Sequence, residues 1–228
     1  ELIGLIPLNA MIIAGKYYLK QQHRSIGIPT TDIIHIAIKS MGLDDLVPFD
    51  PNKKIIEYCI KDLYGVLASS KVYAFANDLS SDSPAPGGGS VSALAGTLAA
   101  SLTAMVANLT FGKKKWDPLY DQMCHISQES QSMKEKLLTL IDADTNAFNH
   151  VLAAYKMPKE NENQISIRNK KIDNAIKEAT NIPFNTLQCC IEVINYSKQV
   201  AEYGNPNSIT DAGVAAEMAN AGAQGAAL

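Results

Sequence analysis

The 228 residues are 46% apolar and 19% charged, enough for one domain with a buried core, or one domain carrying an added segment, and too apolar for a disordered chain. A net charge of −3 removes the basic footprint of a nucleic-acid binder. Aromatic residues supply only 7%, so the apolar mass is small or aliphatic, and alanine provides much of it.

The chain opens on ELIGLIPLNAMIIAGKYY, which is apolar but led by Glu1 with no basic region before it. That is not the pattern of a secretory signal, and without an initiator Met the opening reads as the cut end of something longer. Strand signals are scarce, whereas helix punctuation recurs. Thr30 or Thr31 is predicted to cap a helix through DIIHIAIKSM that Gly42 ends. Asp50-Pro51 predicts an N-cap with proline in the first turn of KKIIEYCIKDL, and Asp117-Pro118 repeats that signature before the longest run, Leu119 to about Tyr155, which Pro158 stops. A charged helix is predicted near Ile167–Thr180, a separate one over Pro183–Tyr203 closed by Gly204, and a last one after Ser208. The low-complexity segment LSSDSPAPGGGS divides a charged helical part from an alanine-rich remainder. The expected fold class is all-α, a multi-helix bundle with long central helices.

Cys59 and Cys124 stand alone and Cys189-Cys190 are adjacent, so neither a disulfide framework nor a zinc site is expected. Reduced thiols point to a cytoplasmic protein. Residues 90–111 carry no charge over a length that could cross a bilayer, but seven of them are Ser, Thr or Asn, so a buried central helix is expected and no membrane span. Val91, Leu94, Leu98, Leu102, Met105, Val106 and Leu109 form one stripe of that helix; the opposite face carries Ser92, Gly96, Ala99, Ala100, Thr103, Ala107 and Asn108. Burial on both sides is expected.

Gly87-Gly88-Gly89-Ser90 opens this helix. Unpaired amides at the positive end of a helix dipole suit an anion, and glycines let a ligand approach the backbone. A flexible linker into an N-cap explains the same residues equally well. In the long helix, Asp144 falls within the apolar stripe of Leu137, Ile141, Phe148, Leu152 and Tyr155, while Asp142 points to another face. A carboxylate desolvated in such a stripe is tuned for proton transfer; an ion pair across the core is the structural alternative. Asp211 closes Ser208-Ile209-Thr210-Asp211, the form of a capping box, next to Asn205 and Asn207 in a polar turn. The four histidines form no spaced pair. Lys113, Lys114 and Lys115 read as a solvated helix end or as a lure for an acidic tail.

The segments SDSPAPGGGSVSALAGTLAASLTAMVANLTFGKKK, DADTNAFNHVLAAYKMPKE and YGNPNSITDAGVAAEMANAGAQGAAL resemble the cyclodeaminase/cyclohydrolase family of folate enzymes. ELIGLIPLNA and IKSMGLDDLVPFDPNKKIIEY look like the tail of a transferase domain and its linker, which sets expected domains at 1–60 and 61–228. The resemblance implies an all-helical homodimer or higher homo-oligomer that takes a tetrahydrofolate, often polyglutamylated, with no further cofactor and no metal. It implies conversion of 5-formimidoyltetrahydrofolate to 5,10-methenyltetrahydrofolate with loss of ammonia. Asp144 would move the proton, with Asp142 or Asp211 orienting the cationic amidine. Gly87, Gly88, Gly89 and Ser90, with Asn207, would hold the pterin or a glutamate carboxylate, and Lys113–Lys115 with Lys159 would meet the glutamate tail. A methenyltetrahydrofolate cyclohydrolase and a non-catalytic helical dimerisation module are the alternatives. Relatives continue past GAQGAAL into a further helical segment, so the C-terminus is expected to be cut short.

Overall fold

The structure is a computed structural model and describes residues 4–60, 65–111 and 114–228. Among the described residues it is all-α, as expected. The helices are α1 Leu8–Gln21, α2 Thr30–Ser40, α3 Pro51–Lys54, α4 Ile56–Ile60, α5 Val72–Leu79, α6 Gly88–Asn108, α7 Tyr120–Tyr155, α8 Glu162–Tyr203 and α9 Ile209–Ala227. Among the described residues no strand forms, and an isolated bridge joins Ile6 and Ile55.

Helices α6 to α9 make an up-down-up-down bundle. Ser90 meets Ile141 at one end of α6, and Val106 and Ala107 share a cluster with Met123 and Ile126 at the other, so α7 runs antiparallel to α6. Cys190 lies against Gly96 and Ser197 bonds Thr103, so α8 runs parallel to it. Gly222 and Gly225 lie against Ser92, so α9 returns antiparallel. The core holds Leu137, Ile141, Cys190, Val193 and Ala219 around the alanines of α6, with Phe75 of α5 at its edge. Beyond the start of α6, the ends of α7 and α8 continue as a two-helix arm held by Ala154, Ile172 and Ala175.

At the opposite end, α1 and α2 cross where Gly15 lies against Ile33, and dock on α7. There Ser25 and Ser127 share a hydrogen bond of 3.1 Å, and the Asn108 amide donates to the Gly27 carbonyl at 3.0 Å.

Several predicted boundaries hold. Helix α2 ends in a Schellman arrangement, with the Leu43 amide on the Ile38 carbonyl and Gly42 at φ +63°. Asp50 caps α3 through the Asn52 amide. Others need correction. The helix predicted over KKIIEYCIKDL breaks at Ile55, which is extended because it exchanges backbone hydrogen bonds with the chain's opening: the Ile6 amide reaches the Lys54 carbonyl and the Ile56 amide the Ile6 carbonyl. Asp117-Pro118 does not cap α7; both residues lie inside a 3-10 turn, Lys114–Leu119. Pro183 does not divide two helices but sits within the 42-residue α8. An interior proline costs about 3 kcal/mol, and packing of α8 on both sides of it, through Ala175 before and Cys189, Cys190 and Val193 after, outweighs that.

The prediction for α6 is half right. Its small-residue face is buried: Ala93, Ala99, Ala100, Thr103 and Ala107 are 1% exposed or less. The larger stripe is not: Val91, Leu98, Met105 and Leu109 remain 37–49% exposed, and only Val106 of that set is buried. Glycine and alanine let α7, α8 and α9 approach the α6 backbone, so the close-packed side is the small one. By length and hydropathy α6 could cross a membrane, yet 61% of that window is packed inside the bundle, as in the core helix of a soluble fold.

Candidate functional site

The start of α6 is the chemically distinctive end of the bundle. Gly87 is extended, and no side chain caps the helix, so its leading amides carry the positive end of the dipole unopposed by a cap. Gly89 is required by packing, because the Asp144 carboxylate lies where a Cβ would stand. Gly87 and Gly88 are not: a Cβ on either would meet nothing within 4 Å. Their backbone is open on that side, which both a ligand loop and a linker into the helix allow.

Ser90 is fully buried and fastens α6 to α7. Its hydroxyl lies 2.9 Å from the Ile141 carbonyl, 3.1 Å from the Asp144 carboxylate and 3.2 Å from the Thr145 hydroxyl. A hydroxyl donates once, so Ser90 donates to the carbonyl or the carboxylate and accepts from Thr145. Ser90 therefore positions Asp144 and does not offer a free hydroxyl. Asp144 itself is half-buried, not enclosed within the core as its place in the apolar stripe suggested. The reason is that α6 begins at Gly88, so the stripe of α7 outlasts its cover at Asp144.

Asp142 has a different occupation. Its two oxygens accept from the amides of Leu67 and Ala68, each at 2.9 Å, and Gly65 packs against it. This fixes the turn leading to α5. The same carboxylate borders a cleft of about 490 Å³, lined also by Gly65, Asp78, Ser83, Pro86, Thr145 and Asn146. The volume suits a small-molecule ring system. Neither Gly65 nor the turn it belongs to was singled out in the sequence; only their distance from Asp142 along the chain hid them.

The remaining candidates lie elsewhere. The Asn205 amide donates to the Thr110 hydroxyl at 3.0 Å and its side chain to the Leu109 carbonyl at 3.2 Å, which places the polar turn at the far end of α6. Asn207 is exposed, its amide bonded to Asn205. Asp211 is half-buried in the first turn of α9. The expected capping box does not form: Ser208 makes no side-chain cap, because Asn205 caps the 3-10 turn Pro206–Ser208 ahead of it. From Ser90 to Leu109 is roughly 28 Å along a helix at 1.5 Å per residue, so Asp211 and Asn207 do not join Asp144 within one chain. Lys113 lies outside the described residues; Lys114 and Lys115 begin the 3-10 turn that follows α6, at the same far end. Lys159 is exposed at the tip of the α7–α8 arm. Among the described residues no group of three His, Cys, Asp or Glu side chains is arranged to hold a metal ion.

Comparison with known proteins gives this geometry a context. The family model described as formiminotransferase-cyclodeaminase matches residues 71–228, and that of the formiminotransferase domain matches residues 1–61. The formimidoyltransferase-cyclodeaminase of Dictyostelium discoideum is 37% identical over 99% of this chain and 42% of its own length. The methenyltetrahydrofolate cyclohydrolase of Methylorubrum extorquens is 40% identical over 69% of this chain and 76% of its own length. A crystal structure of formiminotetrahydrofolate cyclodeaminase from Thermotoga maritima superposes with a TM-score of 0.63 at 29% identity, covering 70% of this chain and 75% of that one. The chain thus spans less than half the length of the two-domain relative.

Proposed function

The chain belongs to the formiminotransferase-cyclodeaminase family, and from that premise we propose that it carries the cyclodeaminase step. In this reading 5-formimidoyltetrahydrofolate becomes 5,10-methenyltetrahydrofolate with release of ammonia. The observation that carries it is a carboxylate, Asp144, held by Ser90 beneath an uncapped, glycine-lined helix start beside a cleft of about 490 Å³.

The chemistry needs little else. Nitrogen 10 of the folate attacks the carbon of the cationic amidine, forming the new carbon–nitrogen bond. The proton on nitrogen 10 must then reach the former amidine nitrogen, which leaves as ammonia, and the positive charge stays on the methenyl bridge. Asp144 takes that proton and returns it to the departing amine, first as base and then as acid. Its negative charge also faces a cationic centre throughout, which favours the transition state. The amides of Gly88 and Gly89 would hold the pterin or a carboxylate. No redox group or metal enters the balanced reaction. Lys159, at the tip of the arm beyond the start of α6, is the cation for a polyglutamate tail; Lys114 and Lys115 lie at the far end of α6 from Asp144. The four free thiols fit a reducing cytoplasm. We further propose self-association through the exposed stripe of α6.

Asp144→Asn tests the assignment. It is expected to keep the helical fold, by circular dichroism, and to lose turnover by roughly 10²–10⁴. Unchanged turnover in a folded variant removes Asp144 from the chemistry.

A second reading has its own support, since the cyclohydrolase relative is 40% identical over 69% of this chain, beside 37% over 99% for the two-domain relative. There water adds to the methenyl carbon. The match of residues 1–61 to the formiminotransferase domain favours the deaminase.

A further inference from the structure

The cleft beside Asp142 takes its walls from three places. Gly65–Leu67 forms one, the end of α5 with the loop to α6 forms another, and Asp142, Thr145 and Asn146 of α7 form the third. The α5 wall is fixed from behind. Phe75 sinks into the bundle core and is 8% exposed. Asp78 stands three residues on, about 60° round the helix from it, so the residue that anchors α5 also sets the direction of Asp78. The Ser81 hydroxyl donates to the Asp78 carbonyl at 2.7 Å and accepts from the Ser83 amide at 3.2 Å, which ties the loop to the end of α5.

Two polar side chains on these walls serve nothing inside the chain. Asp78 and Asn146 line the cleft and are exposed, and their side chains make no hydrogen bond or ion pair among the described residues. The neighbouring carboxylates are committed, Asp142 to the amides of Leu67 and Ala68 and Asp144 to Ser90. Asp78 also lies in the last turn of α5, where the negative end of the helix dipole favours donors over anions. Among the described residues no Lys, Arg or His lines the cleft. It therefore suits hydrogen-bond donors and not the carboxylates of a glutamate tail.

A reduced pterin ring carries the matching edge. Its 2-amino group and N3–H are adjacent donors that point the same way, a pattern that one carboxylate accepts through both oxygens. O4, next to them, is an acceptor for the N–H of a side-chain amide.

We propose that Asp78 and Asn146 read the pyrimidine edge of the pterin, Asp78 accepting from the 2-amino group and N3–H and Asn146 donating to O4. The inference rests on the cyclodeaminase reading and deepens it by orienting the substrate. The ring enters the cleft by that edge, N5 and N10 are left for Asp144, and the glutamate tail stays outside. Neither Asp78 nor Asn146 moves a proton.

Two tail-less rings test this by calorimetry under anaerobic conditions. 6-Methyl-5,6,7,8-tetrahydropterin carries the 2-amino group, and 6-methyl-5,6,7,8-tetrahydrolumazine has a carbonyl in its place. The wild-type chain is expected to bind the pterin about tenfold or more tightly than the lumazine, whose O2 meets a carboxylate oxygen. In Asp78→Asn the carboxamide offers one donor and one acceptor, which match O2 and N3–H of the lumazine, so the preference is expected to vanish or reverse. A merely structural role for Asp78 would weaken both rings alike. Asn146→Ala is expected to weaken both, because O4 is common to them. 5-Formyltetrahydrofolate is expected to follow the pterin and bind Asp78→Asn about tenfold more weakly. A wild-type chain that binds both rings equally or neither overturns the proposal. So does an Asp78→Asn chain that keeps the wild-type preference, or an Asn146→Ala chain with wild-type affinity for both rings. If the preference and its loss are found but the wild-type chain releases no ammonia from 5-formimidoyltetrahydrofolate, the cyclodeaminase reading alone falls. Ammonia release with the preference unchanged in Asp78→Asn leaves that reading intact and removes Asp78 from the site.

Discussion

The two faces of α6 differ in a way that hydrophobicity alone does not order. The inner face is glycine, alanine, serine and threonine and is nearly inaccessible; the outer face is valine, leucine and methionine and is open. Burial here follows from how closely neighbouring backbones approach. A Cβ on Gly96 would stand 2.7 Å from the Cys190 sulfur and 3.2 Å from Leu137, and one on Gly222 would stand 2.9 Å from the Ser92 carbonyl. The small residues set the helix spacing, and the large ones are left for an outside surface.

The sharpest way to break that contrast is to enlarge the inner face. Gly96→Val forces three extra carbons against Cys190 and Leu137, and is expected to cost about 3 kcal/mol or more in denaturant unfolding. Stability near wild type would show that the faces are not packed as described. Ser90→Ala comes next: it removes the hydroxyl that joins α6 to Ile141, Asp144 and Thr145, with an expected cost of about 1–2 kcal/mol and a fall in turnover as Asp144 loses its tether.

A smaller effect separates inner from outer thiols. Burial pushes Cys190 up to about 11 and raises Cys189 and Cys124, whereas Cys59 is exposed. In the native chain at pH 8 a thiol reagent is expected to label Cys59 rapidly and the other three only on unfolding; rapid labelling of more than one would place the cysteines wrongly. Stability linked to Cys190 is fully present below pH 9 and declines between pH 9 and about 11, where the unfolded thiol ionises and the folded one does not. The smallest effect belongs to the outer face. Leu98→Ser is expected to change the stability of a dilute, monomeric chain by no more than about 0.5 kcal/mol, while light scattering at higher concentration shows weaker association.

Local signals were legible in the sequence wherever the chain itself settles the geometry. Gly42 supplies the positive φ that ends α2, Asp50 caps α3, and Pro158 follows the end of α7. Signals set by distant partners were not. Ile55 leaves the helical path because Ile6 bonds its neighbours, and Pro183 stays helical because α7 packs on both sides of it. The same division runs through the site. Asp144 was identifiable from its place in an apolar stripe, but its hold by Ser90 depends on a contact 54 residues apart. Asp142 looked like a second reactive carboxylate and serves a turn 75 residues away. The segregation of Asp211 from Asp144 depends on the direction of α9, which periodicity does not encode.

The central claim is that a carboxylate at the start of α6 closes the folate ring with expulsion of an amine. It is tested most directly by following ammonia and the methenyl absorbance together as the wild-type chain acts on 5-formimidoyltetrahydrofolate. The account predicts one ammonia released per methenyl bridge formed, at rates that fall together in Asp144→Asn. Hydrolysis of methenyltetrahydrofolate with no ammonia released from the formimidoyl substrate would contradict it.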